Sequence, residues 1–242
     1  MITRWRNRKR SASLNRRSDA MGGGSEGWDG AGLLTLYERG QHQGARARVA
    51  LLAGAAVGRD AAGLTLGDLD RAIWALRTDV VGRGGAATAR CAACGARLDF
   101  ALPDGFAPPD AVAMVARVVW GGASHDLRLP RLSDMAAGEF GPERLNPEAP
   151  WGEAGFAEAA EAALEAADPG LRVQLRLSCA ECGAEGVQDF DPAAYFWAEV
   201  EDMARRLVAD VARLARHYGW SEAEITAMTP ARRALYLTEA LR

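Results

Sequence analysis

A chain of 242 residues, 49% hydrophobic and 25% charged, has the make-up of a folded globular protein, long enough to bury a core without disulfide staples. The formal charge of −3 is uneven: residues 1–20 carry Arg4, Arg6, Arg8, Lys9, Arg10, Arg16 and Arg17 against Asp19, a balance of +6, so the rest carries −9. That argues against a nucleic-acid-binding surface on the folded part, no apolar run reaches the roughly 18–20 residues of a membrane span, and the basic start lacks the apolar stretch of a secretory signal.

Residues 1–30 have little to bury, and the glycines of MGGGSEGWDGAG (21–32) give the composition of a disordered basic tail. Residues 31–82 read as N-terminal helices. LLTLYERG (33–40) and ARARVALLAGAA (45–56) are short ones, and LTLGDLDRAIWALRTDVVG (64–82) is stronger, with Leu66, Leu69, Ile73, Leu76 and Val80 forming an apolar stripe. Short extended runs, TAR (88–90) and ARLDFALP (96–103), flank a first cysteine motif.

Next, VAMVARVVW (112–120), GGAS (121–124) and HDLRLP (125–130) predict a hairpin. SDMAAGEF (133–140) predicts a short helix capped by Ser133. Residues 141–152 form a Pro/Gly-rich loop, and EAGFAEAAEAALEAADPG (153–170) is an Ala/Glu helix stopped at Asp168-Pro169-Gly170. LRVQLRLS (171–178) alternates strictly, as a half-buried strand does, and runs into a second cysteine motif.

From 191 onward the chain reads as helical again. Asp191-Pro192 starts a long helix over 192–217, along which Phe196, Val200, Met203, Leu207, Val211 and Leu214 hold one stripe. Gly219 closes it, Ser221 with Glu224 forms a capping box, and a last helix spans 230–241. The fold class is therefore α+β: helical N- and C-terminal parts around a small antiparallel β region, residues 83–190, interrupted at about 104–170 by an inserted hairpin and helices.

All four cysteines lie in two matched motifs, CAACG (91–95) and CAECG (179–183), with 84 residues between Cys94 and Cys179. A C-x-x-C turn brings two sulfurs within reach of one ion, and two such turns supply the four thiolates of a closed tetrahedral zinc site. A redox C-x-x-C normally occurs once, in a βαβ setting absent here, and paired disulfides require an oxidising compartment for which there is no signal. The reading is one structural Zn²⁺ held by Cys91, Cys94, Cys179 and Cys182, in a zinc ribbon split by an insertion. A reducing, cytoplasmic location is the default. A closed shell leaves no position for a reacting water, so no catalysis follows from it.

Nothing else in the chain points to an active site. His42, His125 and His217 fall in no H-x-E or H-E-x-x-H pattern, and there is no phosphate loop, dinucleotide fingerprint or nucleophile elbow. Trp197, Tyr218, Trp220 and Tyr236 are read as packing among the C-terminal helices, and Arg232-Arg233 as an exposed helix face.

A helix ending in LDRAIWALR (69–77), a glycine-bearing turn, a short strand and C-x-x-C-G together resemble the baseplate protein family of contractile-tailed phages. The ending DPAAYFWAEVEDMARRLVADVARLARHYGWSEAEITAMTPARRALYL (191–237) is similar to the zinc-knuckle members of extracellular contractile injection system clusters. The resemblance covers residues 33–242 and departs at VVGRGG (80–85), where the family often has a bulkier aromatic turn. It implies a non-catalytic baseplate hub component or assembly factor. Its partners would be other baseplate, hub or tail proteins, with no small-molecule substrate, membrane or nucleic acid. It would reside in the cytoplasm or in a released particle, and only the four cysteines carry over, as metal ligands. The competing reading is a zinc-ribbon nucleic-acid-binding or regulatory protein that uses the basic N-terminal arm.

Overall fold

The computed structural model describes residues 28–136 and 141–240; most of the expected basic tail lies outside them. The first helix, α1 (Gly30–Gly40), starts three residues before the expected position because Asp29 caps it, accepting from the Gly32 N–H at 2.7 Å. Trp28 already packs on Phe196, ring centroids 5.7 Å apart. α2 (Ala45–Val57) and α3 (Leu66–Val81) follow, α3 capped by Thr65.

Three antiparallel hairpins make up all the sheet among the described residues: β1 (Gly85–Arg90) with β2 (Arg97–Leu102), β3 (Val115–Trp120) with β4 (Ala123–Arg128), and β5 (Gln174–Ser178) with β6 (Glu185–Asp189). None pairs with another; side-chain packing and the cysteine cluster, rather than a continuous ladder, join the first and third. The β3–β4 turn is tighter than the sequence suggests. Trp120 pairs directly with Ala123 across Gly121-Gly122, and Ala123 and Ser124 belong to the strand.

Between the second and third hairpins come α4 (Leu132–Ala136) and α5 (Phe156–Ala167). Ser133 is inside the first turn of α4 and not its cap, because the helix begins at Leu132; residues 137–140 of the expected helix lie outside the described residues. α5 is shorter than expected, starting after Gly155 and yielding at Asp168 to a 3-10 turn, Pro169–Leu171. The long helix α6 (Pro192–Tyr218) ends at Gly219 in the left-handed region, and α7 (Glu222–Thr226) carries the Ser221–Glu224 capping box. α8 (Pro230–Ala240) completes the chain.

Each part has its own apolar core. Leu52, Ile73, Phe196 and Val200 centre the one between α1, α2, α3 and α6. Val118, Leu127, Phe156 and Ala160 pack the β3–β4 hairpin on α5, which makes the insertion a small αβ unit of its own. Leu98, Leu102, Leu175, Leu177 and Trp74 lie beneath the cysteines. Main-chain bonds tie the insertion to the helices: Leu66 N–H donates to Pro130 C=O at 2.9 Å and Leu132 N–H to Leu64 C=O at 3.2 Å.

Two expectations about the C-terminal side chains change. Arg233 is buried and donates to the Met228 carbonyl at 2.6 Å, so only Arg232 stays on the exposed face, over the Tyr236 ring. Tyr218, Trp220 and Tyr236 do stack together where α6 and α8 meet, with Tyr218 and Trp220 centroids 4.4 Å apart. Trp197 is elsewhere, buried under Gly40 of α1 with the Arg48 guanidinium 5.0 Å from its ring.

Candidate metal centre

The two cysteine turns have the same backbone. In the first, Cys91 N–H donates to Ala96 C=O at 2.9 Å and Gly95 N–H to Cys91 C=O at 2.8 Å; in the second, Cys179 N–H donates to Ala184 C=O at 2.9 Å and Gly183 N–H to Cys179 C=O at 3.0 Å. Gly95 and Gly183 sit at φ 73° and 72°, in the left-handed region where a side chain is strained. The fifth residue of each motif is therefore glycine because the turn must reverse there. Each turn closes its own hairpin, β1–β2 or β5–β6, and presents one buried and one exposed cysteine.

The four sulfurs converge although they come from turns far apart in sequence. Cys91 Sγ lies 3.7 Å from Cys182 Sγ, Cys94 Sγ lies 3.7 Å from Cys179 Sγ, and all four fall within 4.8 Å of one another. A disulfide would need about 2.05 Å, and all four thiols are free. A tetrahedral shell with metal–sulfur bonds of about 2.3 Å has edges of about 3.8 Å, so the spacing fits four thiolates around one metal ion. Among the described residues no histidine or carboxylate joins the group.

The thiols perturb one another. The N–H groups of Cys94 and Ala93 draw the Cys91 thiol down to about 7. The Ala96 N–H pulls on Cys94 in the same direction, but Cys182, burial, Cys91 and Cys179 outweigh it and push that thiol up to about 12. Four sulfurs this close cannot all ionise unless a cation offsets their charge, and a bound metal supplies it.

Beneath the sulfurs, α3 and α6 hold the first hairpin. Arg77, 2% exposed, makes two hydrogen bonds to Glu199 of α6, at 2.8 and 2.5 Å, and donates to the carbonyls of Gly82, at 2.7 Å, and Gly84 just before β1. Tyr195 of α6 donates to the Ala86 carbonyl at 2.9 Å. Gly85 makes this approach possible, since a Cβ there would lie 2.4 Å from the Tyr195 hydroxyl. The glycines of VVGRGG thus have a local cause. Trp74 completes the support, ringed by Phe106, Phe190 and Tyr195.

The sequence reading brought the four cysteines together and passed over Asp70 and Arg77. Both fall on a continuous helical stripe, Leu66, Asp70, Ile73, Arg77 and Val80, at steps of 4, 3, 4 and 3. Charged residues on the apolar line of α3 were the available signal. The histidines stay apart from the site: His125 packs on Phe156, His217 on Tyr218, and His42 is exposed.

Comparison with protein-family models, curated proteins and solved structures finds no match to this chain.

Proposed function

We propose that this protein is a structural or assembly component of a phage-like contractile injection baseplate, non-catalytic and stabilised by one structural Zn²⁺ in a split zinc ribbon. The observation that carries the metal half is the closed group of four sulfurs, two pairs of them 3.7 Å apart and all within 4.8 Å of one another. All four ligand positions of a tetrahedral ion are taken by protein, and the ion joins hairpins from opposite sides of an inserted unit, which is the work of a structural metal. The element order supports the baseplate half. α3 leads through a glycine turn into the first knuckle, and the second knuckle leads into the long α6, then α7 and α8, the arrangement the family resemblance implies. An apolar stretch left exposed on the insertion, Val112, Met114 and Val119 at 71–74% exposure, suits protein–protein docking.

Two measurements test the reading separately. Elemental analysis of purified protein with native thiols should find about one zinc per chain, and less than about half would defeat the metal. Tube, hub or sheath genes should lie beside this gene, and co-expression with their products should give a stable complex with at least one of them. No such neighbouring genes, together with salt-sensitive DNA or RNA binding that survives removal of residues 1–30, would replace the baseplate role with a nucleic-acid one.

A further inference from the structure

Away from the cysteines, a cavity of about 770 Å³ lies between α2, the first turn of α3, α4 and the chain on either side of the third hairpin. That volume is in the range that encloses a small organic ligand. Val49, Leu66, Leu69, Met135, Val173 and Phe190 form apolar walls. Asp70 lines the same cavity, mostly covered, and no hydrogen bond reaches its carboxylate among the described residues.

The charged groups around Asp70 leave it unmatched. Asp191 and Asp168 are like charges, and Arg71 is the cation whose field acts on it. Arg71 is already committed to Asp68 at 2.7 Å, to Asp168 at 3.1 Å and to the Pro109 carbonyl at 2.5 Å. At the rim, Arg172 pairs with Asp189 at 3.2 Å, Asp191 accepts from the Ala194 N–H at 2.8 Å, and Arg46 lines the α2 side. Burial is the main reason the Asp70 carboxyl is pushed up to about 7. A carboxylate partly desolvated beside apolar walls and without a protein partner offers a counter-charge to a cationic ligand.

We propose that this cavity binds an amphipathic cation, its apolar body on the α2–α3 wall and its ammonium group hydrogen-bonded to Asp70. Arg172 at the rim is already paired with Asp189, so an anionic ligand beside the apolar wall would meet the Asp70 carboxylate. A neutral one would leave Asp70 desolvated without a partner, so the apolar walls select the body and the carboxylate selects the charge. The proposal is independent of both the metal and the baseplate reading.

The probe is n-octylamine, titrated calorimetrically into the full chain near pH 8 beside 1-octanol and octanoate, which share its length and differ in charge. Octylammonium should bind at least about tenfold more tightly than either. Asp70→Asn should bring octylamine and octanol together, because the amide keeps the shape and loses the charge. Ala50→Phe, placed on the cavity wall, should weaken all binding while zinc content and melting stay unchanged. Lowering the pH to near 5.5 protonates Asp70 and should weaken octylamine binding in the parent but not in Asp70→Asn. Equal affinity for octylamine and octanol, no saturable octylamine binding, or an amine preference that survives Asp70→Asn would each overturn the proposal.

Discussion

In the first cysteine hairpin, β2 turns Leu98 and Leu102 into the core, and Arg77 grips the chain just before β1. In the third hairpin the burial is on the incoming strand, where β5 supplies Leu175 and Leu177 while β6 is exposed along its whole length. α3 meets both: Arg77 holds the entry to the first hairpin, and Asp70, two turns earlier on the same stripe, faces Asp191 at the exit from the third. Arg77 is buried with its partner in Glu199, whereas Asp70 is only partly covered and has no hydrogen-bond partner among the described residues. The two turns share a backbone because the local motif is the same, but their anchorage differs because it is set by what α3 and α6 present to each. Arg77 and Tyr195 hold the first hairpin besides its core contacts, whereas the third rests on the core contacts of β5, so it is expected to depend more on its sulfurs.

The largest effect should come from removing that shared dependence. Cys179→Ser should cost the metal and cooperative folding of both hairpins; elemental analysis and a thermal melt read this directly. A folded, metal-free variant that melts like the parent would refute a structural metal. Breaking the protein contacts alone should separate the two regions. Arg77→Met leaves Glu199 without its partner and should destabilise by about 3 kcal/mol, with amide exchange accelerated in β1 and β2 before β5. Uniform acceleration across both hairpins would show that α3 does not anchor them differently.

Smaller changes sharpen the contrast between β2 and β6. Leu98→Ala should cost about 2–3 kcal/mol through the cavity it leaves, whereas Val187→Ala on the exposed strand should stay within about 0.5 kcal/mol; denaturant midpoints decide. Asp70 has the opposite sign to Arg77. Its pKa rises from 3.8 unfolded to about 7 folded, so the folded chain holds its proton more tightly. That stabilisation is full below pH 3.8 and is lost as pH rises through 7. Asp70→Asn should therefore raise stability by about 1–2 kcal/mol near pH 8 and have no effect near pH 3.5. A destabilised variant near pH 8 would mean that Asp70 is satisfied in solution.

What the sequence determined by itself is what neighbouring residues decide among themselves. Asp191 caps α6, Ser221 and Glu224 form their box, Gly219 ends a helix, and each C-x-x-C-G folds into the same reversal, because every one of these rests on bonds spanning three to five residues. The apolar stripes of α3 and α6 and the alternation of β5 were legible for the same reason, since periodicity alone tells which face is buried. The pairing of the two cysteine motifs could be expected from their likeness, although their 3.7 Å approach depends on how the hairpins pack.

Which charges go inside depends on how distant elements meet. Arg77 is buried because Glu199, far along the chain, is there to receive it. Asp70 lines a cavity with α2, α4 and the strand exits, elements whose meeting no local pattern encodes. A charge is tolerated in a protein interior only when something distant answers it or the fold holds it unanswered, and neither condition is written in the residues beside it.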